Sequence, residues 1–180
     1  MEPTIHNIES AGDETEFIVK NCNVSFINAL RRTILSQIPT VVFRTAPYEK
    51  SLVQIEENTT RLNNEIIKQR LSCVPIHIVD ESIDLDDYIV ELDEENDTNS
   101  IKYVTTEHFK IKNIKTDKYL ERKEVQRIFP KDTLTNEYIL IARLRPTMSN
   151  EGVGETLKFT AKMTRASASE DSCFNVASTC

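Results

Sequence analysis

The sequence has little glycine and no closely spaced pair of cysteines, and each shortage excludes a kind of site. Its three glycines are Gly12, Gly152 and Gly154. They cannot form the glycine-rich loop that cradles phosphates, so we expect neither a P-loop nor a dinucleotide-binding fold. Its four cysteines are Cys22, Cys73, Cys173 and Cys180. No Cys-x-x-Cys pair of a zinc ribbon is present, and we therefore expect no bound metal and no cofactor.

Long apolar runs are also missing. No run approaches the roughly 18 residues that span a bilayer, so we expect no membrane segment. The N-terminus lacks the apolar region of a signal peptide, which predicts an intracellular protein with reduced thiols, although the cysteine count alone leaves disulfides open. The formal net charge is -7. Because an acidic chain repels a phosphate backbone, we expect little direct contact with nucleic acid.

The first clear pattern is an amphipathic helix that begins after Asn21 or Asn23, either of which can serve as its N-cap. Apolar residues follow at spacings of three and four, which places them on one helix face: Ile27, Leu30, Ile34 and Ile38. Pro39 ends the helix. Arg31 and Arg32 are adjacent, so they point about 100° apart and one can flank the apolar stripe while the other faces a partner.

A strand, a polar turn and a second helix follow. Val53 and Ile55 share one face of the predicted strand, and Asn63 is a candidate N-cap. Ile67 and Leu71 mark the buried face of the helix, which Pro75 ends. Further along, residues 136–144 are predicted to form a strand, and strict alternation over 156–164 predicts a half-buried antiparallel strand. The fold class is therefore α+β.

Two charged blocks and the first residues were expected to contribute little to the core. Residues 80–97 hold ten acidic side chains, which predicts a solvated loop or an irregular edge. Residues 110–131 hold eight Lys or Arg against three Asp or Glu, which predicts a plain surface. Residues 1–15 are polar and are predicted to be loose. No Ser-His-Asp, Cys-His or paired-carboxylate pattern is present, so no catalytic residues are expected.

The literal strings go further than these patterns. The run NALRR at residues 28–32, followed by ILSQIPT at 34–40, resembles the signature of the alpha-like subunits of multisubunit DNA-directed RNA polymerases. The segment IEENTTRLNNEIIKQRLSCVPI at residues 55–76 resembles the second motif of that family. The family includes the bacterial alpha subunit, the archaeal D subunit and the third subunit of eukaryotic polymerase II. The match covers about residues 15–79.

The resemblance implies a discontinuous fold. An alpha-like dimerisation domain is interrupted by an inserted, mostly antiparallel α+β domain. We expect residues 1–46, with 173–180, to form an incomplete dimerisation domain and residues 47–172 to form the inserted one. The family's chain returns to the first domain near Phe174 and ends in a long helix. Because this sequence stops at Cys180, it is either a divergent short form or a piece of a longer protein.

The resemblance also implies partners and the residues that bind them. The dimer interface with a smaller alpha-like subunit (the L or eleventh-subunit type, with a downstream fusion left open) is assigned to Phe26, Ile27, Leu30 and Ile34. Docking of the second-largest and largest subunits is assigned to Arg31, Arg32, Asn58, Thr59, Glu65 and Arg70. The implied function is non-catalytic assembly in transcription.

Two questions stay open at this stage. The alternative function is a stand-alone protein-interaction module that has kept the fold without the polymerase. The abundance of Asn, Ile, Lys and Thr is compatible with an AT-rich genome, such as that of a large DNA virus. The expected location is accordingly the nucleus or cytoplasm, or the virion if the source is viral.

Overall fold

The computed structural model describes residues 2–12, 14–147 and 154–177. The chain divides into two compact units, one formed by Met1–Ile38 with Ser167–Cys180 and the other by Pro39–Ala166. Every strand pair in the described residues is antiparallel. The predicted α+β class with mostly antiparallel sheets is therefore confirmed. In the described residues, no helix combines the length and apolar character that crossing a bilayer requires.

The first unit contains a hairpin and one helix. Its elements are β1 (Thr4–Ala11), β2 (Glu14–Lys20) and α1 (Val24–Ser36). The prediction that residues 1–15 are loose was wrong, because β1 pairs with β2 from Thr4↔Lys20 to Ala11↔Glu14. Gly12 has φ +62 in the connecting turn, a conformation that glycine adopts without strain. All residues of β1 are exposed, so the strand lacks the apolar burial that sequence patterns detect.

Helix α1 begins where the sequence indicated. The Asn23 side chain accepts a hydrogen bond from the Ser25 backbone N–H at 2.8 Å, which caps the helix. The helix ends at Ser36, so Ile38 lies outside it and continues the predicted stripe only in sequence. A backbone hydrogen bond from Ser169 N–H to Ser36 O, at 2.9 Å, joins the returning segment to the end of α1.

The second unit is larger and contains the main sheet. Its strands are β3 (Thr40–Phe43), β4 (Val53–Asn58), β5 (Tyr88–Glu95), β6 (Lys102–Thr105), β7 (Lys110–Asn113), β8 (Lys118–Tyr119), β9 (Leu140–Leu144) and β10 (Thr156–Ala166). Its helices are α2 (Asn64–Ser72) and α3 (Arg122–Ile128). Six strands form one sheet in the order β3-β10-β5-β7-β8, with β4 also pairing with β10, while β6 and β9 form a separate pair.

Strand β10 is the centre of this sheet. It pairs along one edge with β3 and β4 and along the other with β5. The alternation predicted from its sequence is confirmed, since four inward side chains are buried: Leu157, Phe159, Ala161 and Met163. Phe159 contacts Phe109 edge-on, and Phe109 in turn contacts Phe43 and Phe129. Edge-to-face rings of this kind stabilise a core beyond the area that they bury.

The prediction that the acidic block is a solvated loop or an irregular edge was wrong, because β5 lies between β10 and β7 in the sheet. Residues 88–95 form β5, in which Val90 and Leu92 are buried while the acidic residues between and after them reach the opposite face or the strand end. Asp93 lies opposite Lys158 in the pairing register, and the two side chains form an ion pair at 3.1 Å. Opposite charges across neighbouring strands stabilise a sheet, so the acidic residues pair with lysines instead of preventing packing. The rest of the block, residues 80–87 and 96–97, lies outside strands, with one 3₁₀ turn at Leu85–Asp87.

Helix α2 agrees with its prediction. Asn63 Oδ1 accepts from Ile66 N–H at 2.9 Å, and both Ile67 and Leu71 are buried. The predicted strand at 136–144 is shorter than expected and begins at Leu140. The preceding residues form a turn, in which Asp132 Oδ1 accepts from the backbone N–H groups of Leu134 and Thr135.

The boundaries of the two units differ from those predicted for the two domains. The structure divides the chain at 38/39 and 166/167, where the sequence indicated 46/47 and 172/173. Residues 178–180 of the predicted dimerisation domain lie outside the described residues. That these units are the family's dimerisation and inserted domains stays a prediction.

Candidate interaction surfaces

The stripe on α1 is uncovered within its own unit. No residue of the helix is buried, and Phe26 and Leu30 are 64% and 41% exposed. Ile27 and Ile34 are half-buried. The four residues assigned to the dimer interface therefore share one helix whose apolar side chains have little cover from this chain.

The rest of this unit has the same character. Among its described residues only Phe174 is buried, at 3% exposure. Its exposed large apolar side chains are Ile5, Ile8, Phe17, Ile18, Val24, Phe26, Leu30, Ile38 and Val176. Apolar surface left in water costs about 25 cal/mol for each Å². A unit with so little core and so much apolar surface has the composition of an interface that another surface covers.

The two arginines of α1 differ in their contacts. Arg31 donates from Nε and Nη2 to Asn28 Oδ1, at 3.3 and 3.0 Å, along the helix surface. Arg32 is exposed, and its guanidinium makes no hydrogen bond or ion pair with any residue that the structure describes. At 100° per residue Arg31 lies beside the apolar stripe and Arg32 points to the opposite face of the helix, and either arginine can pair with a carboxylate of a partner.

The other predicted docking residues lie in the second unit, around β4 and α2. Asn58 closes the turn between these elements: its Nδ2 donates to Leu62 O and Asn64 Oδ1, each at 2.8 Å. Its Oδ1 accepts from the Thr60 backbone N–H at 3.0 Å and from the Thr60 hydroxyl at 2.7 Å. The Asn58 side chain therefore forms hydrogen bonds within the turn. Its role in docking stays a prediction.

The other three predicted docking residues of this unit are exposed. Thr59 Oγ1 accepts from the Thr156 backbone N–H at 2.7 Å, which joins the turn to β10. Glu65 makes no hydrogen bond or ion pair with a described residue. Arg70 donates from Nη1 to Ile141 O at 3.1 Å, which directs its guanidinium toward β9. Their roles in docking stay predictions.

Sequence reasoning missed three arginines that the fold places near Arg70. Arg61, Arg143 and Arg145 line a cavity of about 530 Å³ together with Arg70. Its apolar lining residues are Leu62, Ile101, Leu140 and Ala142. The sequence did indicate one pair of these arginines. Arg143 and Arg145 are two residues apart at the end of a predicted strand, so their side chains are expected on the same side.

Only one of the four arginines has a carboxylate partner among the described residues. Arg145 Nε donates to Glu155 Oε1 at 2.7 Å, and its backbone N–H donates to Glu155 Oε2 at 2.9 Å. Burial by itself would raise the pKa of Glu155. The hydrogen bonds from Arg145 and the charges of Arg145 and Arg61 outweigh that effect and hold the pKa below its ordinary value.

This lowered pKa makes a stability prediction for Glu155→Gln. A carboxyl group whose pKa is lower in the folded state contributes stability above its unfolded pKa, and loses that contribution as the pH falls through the folded pKa. At pH 7 the variant should lose about 1–3 kcal/mol of unfolding free energy, because Arg145 loses a charged acceptor. Urea titrations should show that the difference in unfolding free energy between the variant and the wild type is smaller at pH 3 than at pH 7. A difference that is constant with pH would contradict this account of the pair.

Metal ligands and a cofactor cradle were not expected from the sequence. In residues 2–12, 14–147 and 154–177, no group of three or more His, Cys, Asp or Glu is arranged to hold a metal ion. The expectation that the protein works without metal or cofactor stays a prediction, and no step below depends on either.

Comparison with known proteins supports the family that the two sequence motifs indicate. A family model described as the RNA polymerase Rpb3/Rpb11 dimerisation domain matches residues 16–137. DNA-directed RNA polymerase subunit Rpo3 of Pyrococcus furiosus is 38% identical over 101 residues, which cover 53% of this chain and 36% of that protein. DNA-directed RNA polymerases IV and V subunit 3B of Arabidopsis thaliana is 39% identical over 74 residues, which cover 41% of this chain and 21% of that protein.

The extent of these matches matters for what they support. The chain spans about a third or less of the length of these curated relatives. The family match, by contrast, extends from β2 through α1 and α2 to the residues before β9, well beyond the two motifs at residues 28–40 and 55–76. This chain therefore belongs to the family of the RNA polymerase Rpb3/Rpb11 dimerisation domain.

Proposed function

We propose that the chain is a non-catalytic assembly subunit of a DNA-directed RNA polymerase. It pairs with a smaller alpha-like subunit, and the pair then docks the second-largest and largest subunits, in which catalysis resides. The observation that carries the proposal is the uncovered apolar helix α1 inside a region that the dimerisation-domain family matches.

The pairing step follows from the surface of α1. Phe26, Ile27, Leu30 and Ile34 recur at spacings of one to four residues along the helix, so a second helix or sheet can cover them together. Burying such a face against a partner provides the apolar core of an interface, and the charged residues beside it provide the rim. The hairpin of β1 and β2 adds further apolar side chains to the same unit.

The docking step is assigned to charged groups in both units. Arg31 flanks the apolar stripe on α1 and Arg32 points away from it, while Glu65 and Arg70 are exposed on α2. Rim charges of this kind fix the register and choice of partner more than they add affinity. Loss of one of them should therefore weaken recruitment of a large subunit without preventing the first pairing.

A two-step pull-down tests both parts of this proposal. The tagged chain is co-expressed with the smaller alpha-like subunit of its own organism, and the purified pair is then offered the second-largest subunit. Wild type should retain both proteins. Arg31→Ala should retain the small subunit and bind the large one roughly tenfold less tightly, as expected for loss of one charge-assisted contact.

The matched control is Arg127→Ala. Arg127 is an exposed arginine on α3 without a described partner, so its loss removes the same charge from another surface. If Arg31→Ala and Arg127→Ala recruit the large subunit equally well, the docking role of Arg31 is wrong. A wild-type chain that retains neither subunit would instead favour a stand-alone interaction module.

A further inference from the structure

The four-arginine cavity is unusual for this chain. The protein as a whole carries a net charge of -7, yet Arg61, Arg70, Arg143 and Arg145 converge on one concave surface. No acidic residue is among those that line it. Such a local excess of positive charge in an acidic protein attracts an anionic group selectively.

The contacts of the arginines leave much of this charge available. Arg61 is exposed and makes no hydrogen bond or ion pair with a described residue. Arg143 is exposed, and its guanidinium lies 5.5 Å from the ring centroid of Tyr103 without a carboxylate partner. Arg70 uses Nη1 for backbone carbonyls. Of the four, only Arg145 forms an ion pair with a described residue, Glu155, whose charge also acts on Arg61.

The lining between the arginines is apolar. Leu62, Leu140 and Ala142 lie in it, and Ile101 is 48% exposed at its edge. Ile101 and Arg145 also line an adjoining cavity of about 730 Å³, which contains Glu57 and Glu155. A nucleic-acid strand would need a basic path that continues past this point, and the adjoining carboxylates repel phosphate. A polypeptide with acidic and apolar side chains fits both the charges and the lining.

We propose that this cavity binds an acidic segment of a partner polypeptide, with carboxylates on Arg61 and Arg143 and an apolar side chain over Ile101. The inference rests on the proposed function, because Arg70 is one of the predicted docking residues. It adds the three further arginines and the chemistry of the segment that they receive. Arginine is suited to this role because its planar guanidinium can hold a carboxylate through two hydrogen bonds.

Site-specific photo-cross-linking tests the inference in the intact complex. Benzoylphenylalanine replaces Ile101 in the tagged full-length protein, expressed in its own organism, and the cross-linked product is treated with nuclease and sequenced. The expected product is a polypeptide segment in which Asp and Glu outnumber Lys and Arg. The double variant Arg61→Ala/Arg143→Ala should lower its yield by about tenfold, because two charged contacts are lost.

The matched control is Lys118→Ala/Arg127→Ala, which removes two exposed positive charges that have no described ion-pair partner and lie outside both cavities. Its cross-linking yield should equal that of the wild-type background. Thermal melts of both double variants exclude a folding defect as the cause. Added poly-L-glutamate should compete with the cross-link more strongly than an oligothymidylate of equal charge.

The outcomes separate the inference from the proposed function. A nuclease-sensitive product, a segment without excess acid, no product, or equal yields from the two double variants would each overturn the inference. If the chain purifies with both large subunits while any of these results is obtained, the proposed function stands and the inference fails. If the chain retains neither polymerase subunit but the product is an Arg-dependent acidic segment of another protein, the inference stands and the proposed function fails.

Discussion

Leu30→Asp is expected to abolish pairing between this chain and the smaller alpha-like subunit, weakening it by at least about 100-fold. Leu30 is 41% exposed on a helix without a single buried residue, so the substitution should be tolerated by the unpaired chain. In the pair, the new carboxylate would lie in a closed apolar interface where it can be neither solvated nor neutralised. Co-purification of the small subunit at matched expression levels measures the effect.

A leucine elsewhere in the chain provides the control for this prediction. Leu134 is 93% exposed in a turn of the second unit, so Leu134→Asp makes the same chemical change away from α1. This variant should pair as wild type does. Normal pairing by Leu30→Asp would show that α1 is not the dimer face, whatever the family of the chain.

Asn96→Ala is expected to give the largest loss of stability among single polar substitutions in the second unit, about 2–4 kcal/mol. Asn96 is 1% exposed, and its Nδ2 donates to Ser100 O and Leu144 O, each at 2.8 Å. Its Oδ1 accepts from the Thr98 backbone N–H at 2.9 Å and the Thr98 hydroxyl at 2.7 Å. Alanine removes all four bonds and leaves the buried Leu144 O without this partner, and urea unfolding followed by circular dichroism measures the loss.

A second asparagine in a similar turn provides the control for this prediction. Asn58 makes the corresponding four hydrogen bonds in another Asn-x-Thr turn, to Thr60, Leu62 and Asn64. Because Asn58 is only half-buried, water can replace part of these bonds, and Asn58→Ala should cost about 1 kcal/mol. If Asn58→Ala lost as much unfolding free energy as Asn96→Ala, or more, burial would not determine the cost of the substitution.

The close approach of another chain segment explains why the Asn96 turn has little freedom to adjust. Gly154 N–H donates to Asn96 O at 3.1 Å. A Cβ atom at position 154 would lie 2.5 Å from Asn96 O and 2.7 Å from Arg145 O, both backbone atoms. Because a Cβ atom would clash with both backbone oxygens, glycine is required at position 154. The backbone at Asn96 therefore has little room to move.

Sequence patterns were sufficient where capping residues or apolar periodicity mark an element locally. The caps and stops of α1 and α2 and the alternation of β10 were visible because Asn, Pro and apolar spacing act locally. Strand β1 was missed because it is exposed throughout. Strand β5 was missed because its acidic residues dominate the composition, and the lysines that pair with Asp93 and Glu94 lie outside the block, Lys158 far along the sequence.

The same distinction applies to the candidate surfaces. The apolar residues of α1 and the motif residues Arg31, Arg32, Glu65 and Arg70 were found from spacing and family resemblance. The arginine cavity was missed because Arg61 and Arg143 are 82 positions apart in the sequence and meet only through the packing of α2 and β9. A local sequence pattern cannot predict that two such distant residues line one cavity. The spacing of Arg143 and Arg145, by contrast, indicated a shared strand face.

The composition of the complex that the intact protein forms decides whether the chain assembles as proposed. The tagged chain is isolated from its own organism under mild conditions, and native mass spectrometry identifies and counts its partners. Assembly through the proposed surfaces predicts one copy of this chain, one smaller alpha-like subunit and the two large polymerase subunits. Recovery of the chain alone, or only with proteins unrelated to a polymerase, would contradict the account.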